Sequence, residues 1–113
     1  VLEVAILASL ADSDLHGYEL VERIAALAGG LVCVDSGTMY RMLRAMEQEG
    51  FVTSSWQTAE SGPSRRVYTI TTHGLDVLAA MAAALSARAA SLEGLAATAR
   101  AAVTSSRRTA VGG

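Results

Sequence analysis

The stretch Asp35-Ser36-Gly37-Thr38-Met39-Tyr40-Arg41-Met42-Leu43-Arg44-Ala45-Met46-Glu47-Gln48-Glu49-Gly50 decides the fold. Asp35 and Ser36 have side chains that cap a helix by accepting bonds from its first free N–H groups, and Gly50 suits the left-handed residue that closes one. Between these stops Met39, Met42, Leu43 and Met46 recur at three-and-four spacing, which predicts one buried helical face. At roughly 100° per residue, Gly37, Arg41, Arg44 and Gln48 fall on the opposite face, with Thr38 and Tyr40 at its shoulders. Two guanidinium groups, an amide, hydroxyls that include Ser36 and a small first-turn residue are chemically matched to phosphate oxygens and base edges.

The flanks supply a scaffold. Leu2, Val4, Ala5, Ile6, Leu7, Ala8 and Leu10 make a first helix that is apolar nearly all round and so expected to be buried on more than one side. Turn-forming Asp12 to Asp14 interrupt it. A second helix is predicted from about His16 to Ala28, with Leu20, Val21, Ile24, Leu27 and Ala28 inward, Glu19, Glu22 and Arg23 outward, and Gly29 and Gly30 as its stop. Beyond Gly50 the period changes to two. Phe51 to Thr58 and Arg65 to Thr71 read as strands around a Ser61-Gly62-Pro63-Ser64 turn, with Trp56 expected to anchor the hairpin by packing.

Three helices followed by a hairpin give a mainly α fold with a small β-hairpin, a winged helix-turn-helix over residues 1–71. In that layout the third helix enters the major groove and the wing touches flanking backbone. Ser36, Gly37, Thr38, Tyr40, Arg41, Arg44, Gln48, Arg65 and Arg66 are the candidate DNA-contacting residues. Arg65 and Arg66 are neighbours in a strand and point to opposite faces, so one of the two is expected to reach a phosphate.

Composition narrows the function classes. The chain is 51% hydrophobic but 4% aromatic, a helical signature. The net charge of −2 argues against indiscriminate nucleic-acid binding, but its distribution is uneven: residues 1–35 sum to −5, 36–71 to +1 and 72–113 to +2. At physiological salt charges beyond roughly 8 Å are screened, so a phosphate responds to local cations. One cysteine, Cys33, excludes a disulfide framework and a multi-cysteine zinc site, and its apolar neighbours predict an inert buried thiol. His16 and His73 lie on different elements with no clustered carboxylates, so His16 is expected to cap or pack, with no metal, cofactor or enzymatic role. No apolar run is read as reaching the roughly 18 residues of a bilayer span and no signal-peptide pattern is present, so a cytoplasmic protein without membrane contact is expected.

Three pieces resemble the PadR-like transcriptional regulators: His16-Gly17-Tyr18-Glu19-Leu20; Gly37-Thr38-Met39-Tyr40 with Leu43, Glu47, Glu49, Gly50 and Phe51; and Trp56 through Gly62-Pro63 to Arg65-Arg66-Val67-Tyr68 with Ile70-Thr71. The resemblance implies a dimeric winged-helix repressor that binds an inverted-repeat operator in double-stranded DNA and is released by a small-molecule effector. Many members carry proline just before the glycine and just after the tyrosine of the second piece. Here Ser36 and Arg41 stand there, and Arg41 adds a cation to the expected DNA face.

The remaining third predicts the means of pairing. Leu75, Leu78, Ala82, Leu85, Ala89, Leu92, Ala96, Ala99 and Val103 alternate three- and four-residue steps, the seam of a coiled coil. A helix over 72–103 would run roughly 48 Å at 1.5 Å per residue, more than so small a domain covers. A homodimer is therefore expected, with Leu2, Ile6, Leu75, Leu78, Ala82, Leu85, Ala89, Leu92 and Ala96 in its interface. Gly94 is a candidate bend, and residues 104–113 are expected to form a disordered tail. The alternative from another class is a winged-helix adaptor that uses its acidic first third for protein contacts.

Overall fold

The computed structural model describes residues 1–27, 29, 31, 34–58, 62 and 64–112. Along the chain run α1 (Leu2–Asp12), β1 (Leu15–His16), α2 (Gly17–Leu27), α3 (Ser36–Gln48), β2 (Val52–Gln57), β3 (Arg65–Ile70) and α4 (Thr72–Gly112). They divide into two compact units, Val1–Met81 and Ala82–Gly113.

The first unit is the winged helix-turn-helix, with two differences from expectation. The hairpin is part of a three-stranded antiparallel sheet in the order β1-β3-β2, with Leu15 opposite Tyr68 and His16 opposite Val67. The unit also takes in the opening turns of α4, because Val77, Leu78 and Met81 pack on its core. That core joins α1 (Ile6, Leu7, Leu10), α2 (Leu20, Ile24), α3 (Met39, Leu43, Met46) and the sheet (Leu15, Val52, Tyr68). α1 is buried on several sides, as its all-round apolarity implies, and its buried Ser9 is satisfied by donating to the Ala5 carbonyl at 2.8 Å.

Ile6 is 0% exposed within this core, so it is not available to a second copy, and Leu2 and Leu78 are half-buried against the same core. An all-round apolar helix offers no unique face from which to separate domain core from interface. Leu27, predicted to face inward, is exposed. Ala28, Gly30, Cys33, Ser61 and Pro63 lie outside the described residues, so the expectations placed on them find no counterpart here. The neighbouring Gly29 and Gly62 have positive φ, 53° and 115°.

The junction into α4 is built from one side chain and one glycine. Thr71 Oγ1 donates to the Gly50 carbonyl at 2.6 Å and accepts from the Gly74 N–H at 2.9 Å, capping the helix. A Cβ on Gly74 would collide with the Phe51 carbonyl oxygen, so glycine lets the first turn of α4 seat against the turn between α3 and β2.

α4 continues to Gly112, where the sequence pattern ended the helix at Val103 and assigned 104–113 to a disordered tail. No proline intervenes to end the helix, and Thr104 and Thr109 satisfy their hydroxyls on the carbonyls of Arg100 and Ser105 at 3.1 and 3.0 Å. Gly94 sits inside this helix. Over Thr72–Ala110 the helix is also long and apolar enough to cross a membrane by length and composition, with a mean hydropathy of 1.5 in its best window. This corrects the expectation that no run was sufficient: alanine, not a block of large apolar side chains, raises the mean.

Candidate nucleic-acid interface

α3 forms where its cap dictates. The Asp35 carboxylate accepts from the Thr38 N–H at 2.7 Å, and this bond, followed by one from the Thr38 side chain, holds the Asp35 pKa below its ordinary value of 3.8. Ser36, the other proposed cap, is the first helical residue instead. Of the predicted face Met39, Leu43 and Met46 are buried and Met42 is half-buried, and Gly50 closes the turn at φ 81°. With that face fixed inward, Ser36, Gly37, Tyr40, Arg41, Arg44 and Gln48 are exposed and Thr38 is half-buried. Arg41 Nη2 donates to Thr38 Oγ1 at 3.2 Å, which steadies the guanidinium one turn from the helix start.

Between α3 and the wing lies a cleft of about 720 Å³. Tyr40, Arg44 and Glu47 form one wall and Trp56, Ser64, Arg65 and Arg66 the other, with Tyr68 and the α2 start, His16 to Tyr18, completing it. Burial pushes the Tyr68 phenol above its ordinary value of 10.0, so it stays neutral at physiological pH. Four of the nine predicted contact residues, Tyr40, Arg44, Arg65 and Arg66, therefore share this cleft. Arg44 also lies in register with Arg41 and Gln48 at three- and four-residue spacing, so it belongs to the outer stripe of α3 as well.

The two wing arginines line the same cleft, against the expectation of opposite faces, but they take different partners. Arg66 Nε donates to Ser54 Oγ at 2.8 Å, Ser54 Oγ donates to Glu47 Oε2 at 2.7 Å, and Arg66 Nη2 stands 3.7 Å from Glu47 Oε1. Its guanidinium carbon is 5.5 Å from the Trp56 ring centroid. Arg66 is thus a strut between wing and helix, its charge already answered by Glu47. Arg65 instead approaches His16, Nη1 to Nε2, at 3.4 Å.

Three features escaped the sequence pattern. Glu47, which the sequence offers only as a motif residue, occupies the cleft and stands against Arg66. Trp56 is 65% exposed, so it is not the packing anchor of the wing. Val52, two alternations earlier on the same strand, reaches the core, but the strand outruns it before Trp56. Tyr40 lies so close over the start of α2 that a Cβ on Gly17 would sit 2.5 Å from its hydroxyl oxygen. The pairing of Gly17 with Tyr40 was visible only as two separate motif residues.

His16 caps α2 reciprocally: its N–H donates to Glu19 Oε1 at 3.1 Å and its Nδ1 accepts the Glu19 N–H at 3.4 Å. Among the described residues no group of three or more histidine, cysteine, aspartate or glutamate side chains could hold a metal.

Helices α1 to α3 followed by β2 and β3, with arginines on both the third helix and the wing, define a winged helix-turn-helix protein. The model of the transcriptional regulator PadR-like family matches residues 6–80, and the chain belongs to that family. A structure of a candidate transcriptional regulator from Thermoplasma acidophilum is 30% identical, with a TM-score of 0.73 over 83% of this chain and 88% of that one. A PadR-like transcriptional regulator from Bacillus cereus is 27% identical, with a TM-score of 0.73 over 84% and 90%. Bacillus subtilis PadR, solved in complex with operator DNA, is 26% identical with a TM-score of 0.65; the match covers 72% of this chain and 46% of that protein. No curated protein sequence matches the chain.

Proposed function

We propose that this PadR-like regulator is a cytoplasmic homodimer that binds double-stranded DNA at an inverted-repeat operator, represses transcription there and is released by a small-molecule effector. One observation carries the reading: the exposed stripe of Arg41, Arg44 and Gln48 lies on a helix whose opposite face is locked into the core, with Arg65 displayed on the adjacent wing. Side chains of this kind on a rigid helix recognise base edges, whereas the wing cation meets backbone phosphate. The operator complex of Bacillus subtilis PadR supports DNA as the partner.

Pairing is supported by the second unit. Leu85, Leu92, Leu95 and Val103 are exposed along it, a row of apolar side chains that water disfavours. Leu75, Leu78, Ala82, Ala89 and Ala96 complete the proposed seam, and Leu2 is proposed as a further interface residue on α1. Burying three leucines per protomer contributes on the order of 5–9 kcal/mol before ordering losses. Its alanine content and its charges at Arg88, Glu93, Arg100, Arg107 and Arg108 favour such a seam over a bilayer span.

A gel shift on the promoter of the adjacent genes, with scrambled competitor, tests the reading. Retarded complexes that the scrambled duplex does not compete support it, and their absence favours the adaptor alternative. With about three phosphates neutralised per protomer, the slope of log K against log salt is expected near −5.

A further inference from the structure

The cleft between α3 and the wing holds more than a phosphate backbone requires. Two exposed aromatic rings border it, Trp56 and Tyr18, with Tyr40 partly exposed beside them. Two of its three guanidinium groups, Arg44 and Arg65, have no carboxylate within ion-pair distance among the described residues, whereas Arg66 is engaged by Glu47. Its volume of about 720 Å³ falls in the range of small-molecule sites, which run from about 300 to 1,000 Å³. Planar π-surface on the wing and two guanidinium groups that no described carboxylate answers are complementary to a flat ring joined to a dianion. A phosphomonoester carries about −1.5 to −2 charges near neutral pH and matches two guanidiniums, where an internucleotide phosphodiester carries one.

We infer that this cleft binds a free nucleoside monophosphate, its base stacked on Trp56 and its phosphate held between Arg44 and Arg65. Arg44 also belongs to the outer stripe of α3, so the nucleotide and DNA draw on the same side chain and exclude one another. The exclusion rests on the DNA-binding reading above; occupancy of the cleft does not.

Trp56 is the single tryptophan of the chain, so its fluorescence reports the cleft directly. The full-length protein, without DNA, is titrated with 5′-AMP under excitation at 295 nm, beside adenosine, inorganic phosphate and a dinucleoside monophosphate that has only a phosphodiester. Saturable quenching by 5′-AMP is expected, with each of the other three at least tenfold weaker. Arg44→Ala and Arg65→Ala should each raise the 5′-AMP Kd at least tenfold, with unchanged circular dichroism. Calorimetry on Trp56→Ala, which removes the stacking ring and the reporter together, should show a comparable loss. Equal binding of the dinucleoside monophosphate would assign the cleft to a DNA strand and overturn the inference, as would the absence of saturable quenching or a Kd indifferent to Arg65. Displacement of 5′-AMP by promoter DNA then tests the exclusion separately. Nucleotide binding without displacement would leave the site standing and contradict its link to DNA.

Discussion

The unit Val1–Met81 and the unit Ala82–Gly113 use apolar residues in opposite ways. In the first, twelve hydrophobic side chains from three helices and a sheet are buried together. In the second, no residue from 82 to 110 is buried, and its leucines stand in water. A helix is marginal in isolation and gains most of its stability by packing an apolar face. The first unit supplies its own packing, whereas the second has the pattern of a surface that needs another chain. The division teaches that, under the proposed function, recognition and assembly draw on separate residues: those that aim α3 are held by the core, and the exposed apolar row of the second unit is left for a partner copy.

Charges placed in the apolar row of the second unit should have the greatest consequence. Leu85→Asp with Leu92→Asp removes four leucines from a dimer, which at about 1.5–3 kcal/mol each is on the order of 6–12 kcal/mol. Sedimentation should report a monomer, with the winged unit folded by circular dichroism. A dimer that survives would move pairing to another surface. Next in size is the core: Leu43→Ala should lower unfolding free energy by about 2–5 kcal/mol in urea titration. Leu92→Ala should leave the unfolding of the winged unit unchanged while weakening self-association. Equal effects on both would erase the distinction between the units.

Within the first unit, the walls of the cleft differ in a testable way. Arg44→Ala should weaken operator binding by about 1–3 kcal/mol and relax selectivity at one base pair. Arg66→Ala should do less at the DNA and show instead as loss of wing order, because its charge already faces Glu47. A reversed ranking would exchange the roles of strut and ligand.

The smallest effect concerns the α3 cap. The Asp35 pKa is depressed in the folded protein, so the carboxylate contributes stability above its ordinary value of 3.8. That contribution is lost as pH falls from there through the lowered value. Asp35→Ala should therefore lower Tm at pH 7 and have a progressively smaller effect as acid protonates the wild-type group. A Tm difference independent of pH would assign the effect to something other than the charge.

How much of this was legible in the sequence depends on the range of the interaction. The limits and buried face of α3 were readable because its cap, its three-and-four spacing and Gly50 are all local. β1 was not, because two residues, Leu15 and His16, become a strand only when the edge of β3 is brought alongside. The nine candidate contact residues were readable as types. Their division into a cleft-lining set and an outer stripe was not, since it depends on where the wing folds. Trp56 shows the same limit: alternation gives the side of a strand, and only the extent of the core decides whether that side is covered. Ile6 and the last turns of α4 mark the remaining errors, an all-round apolar helix with no preferred face and a serine-, threonine- and arginine-rich segment with no proline to stop it.

The account stands on two copies of α3 held to face one side of a duplex. Hydroxyl-radical footprinting of the promoter DNA measures that geometry directly. Two protected segments about 10 base pairs apart on the same face are predicted, both lost in the Leu85→Asp, Leu92→Asp variant. A single protected segment, or two that persist in that variant, would contradict it.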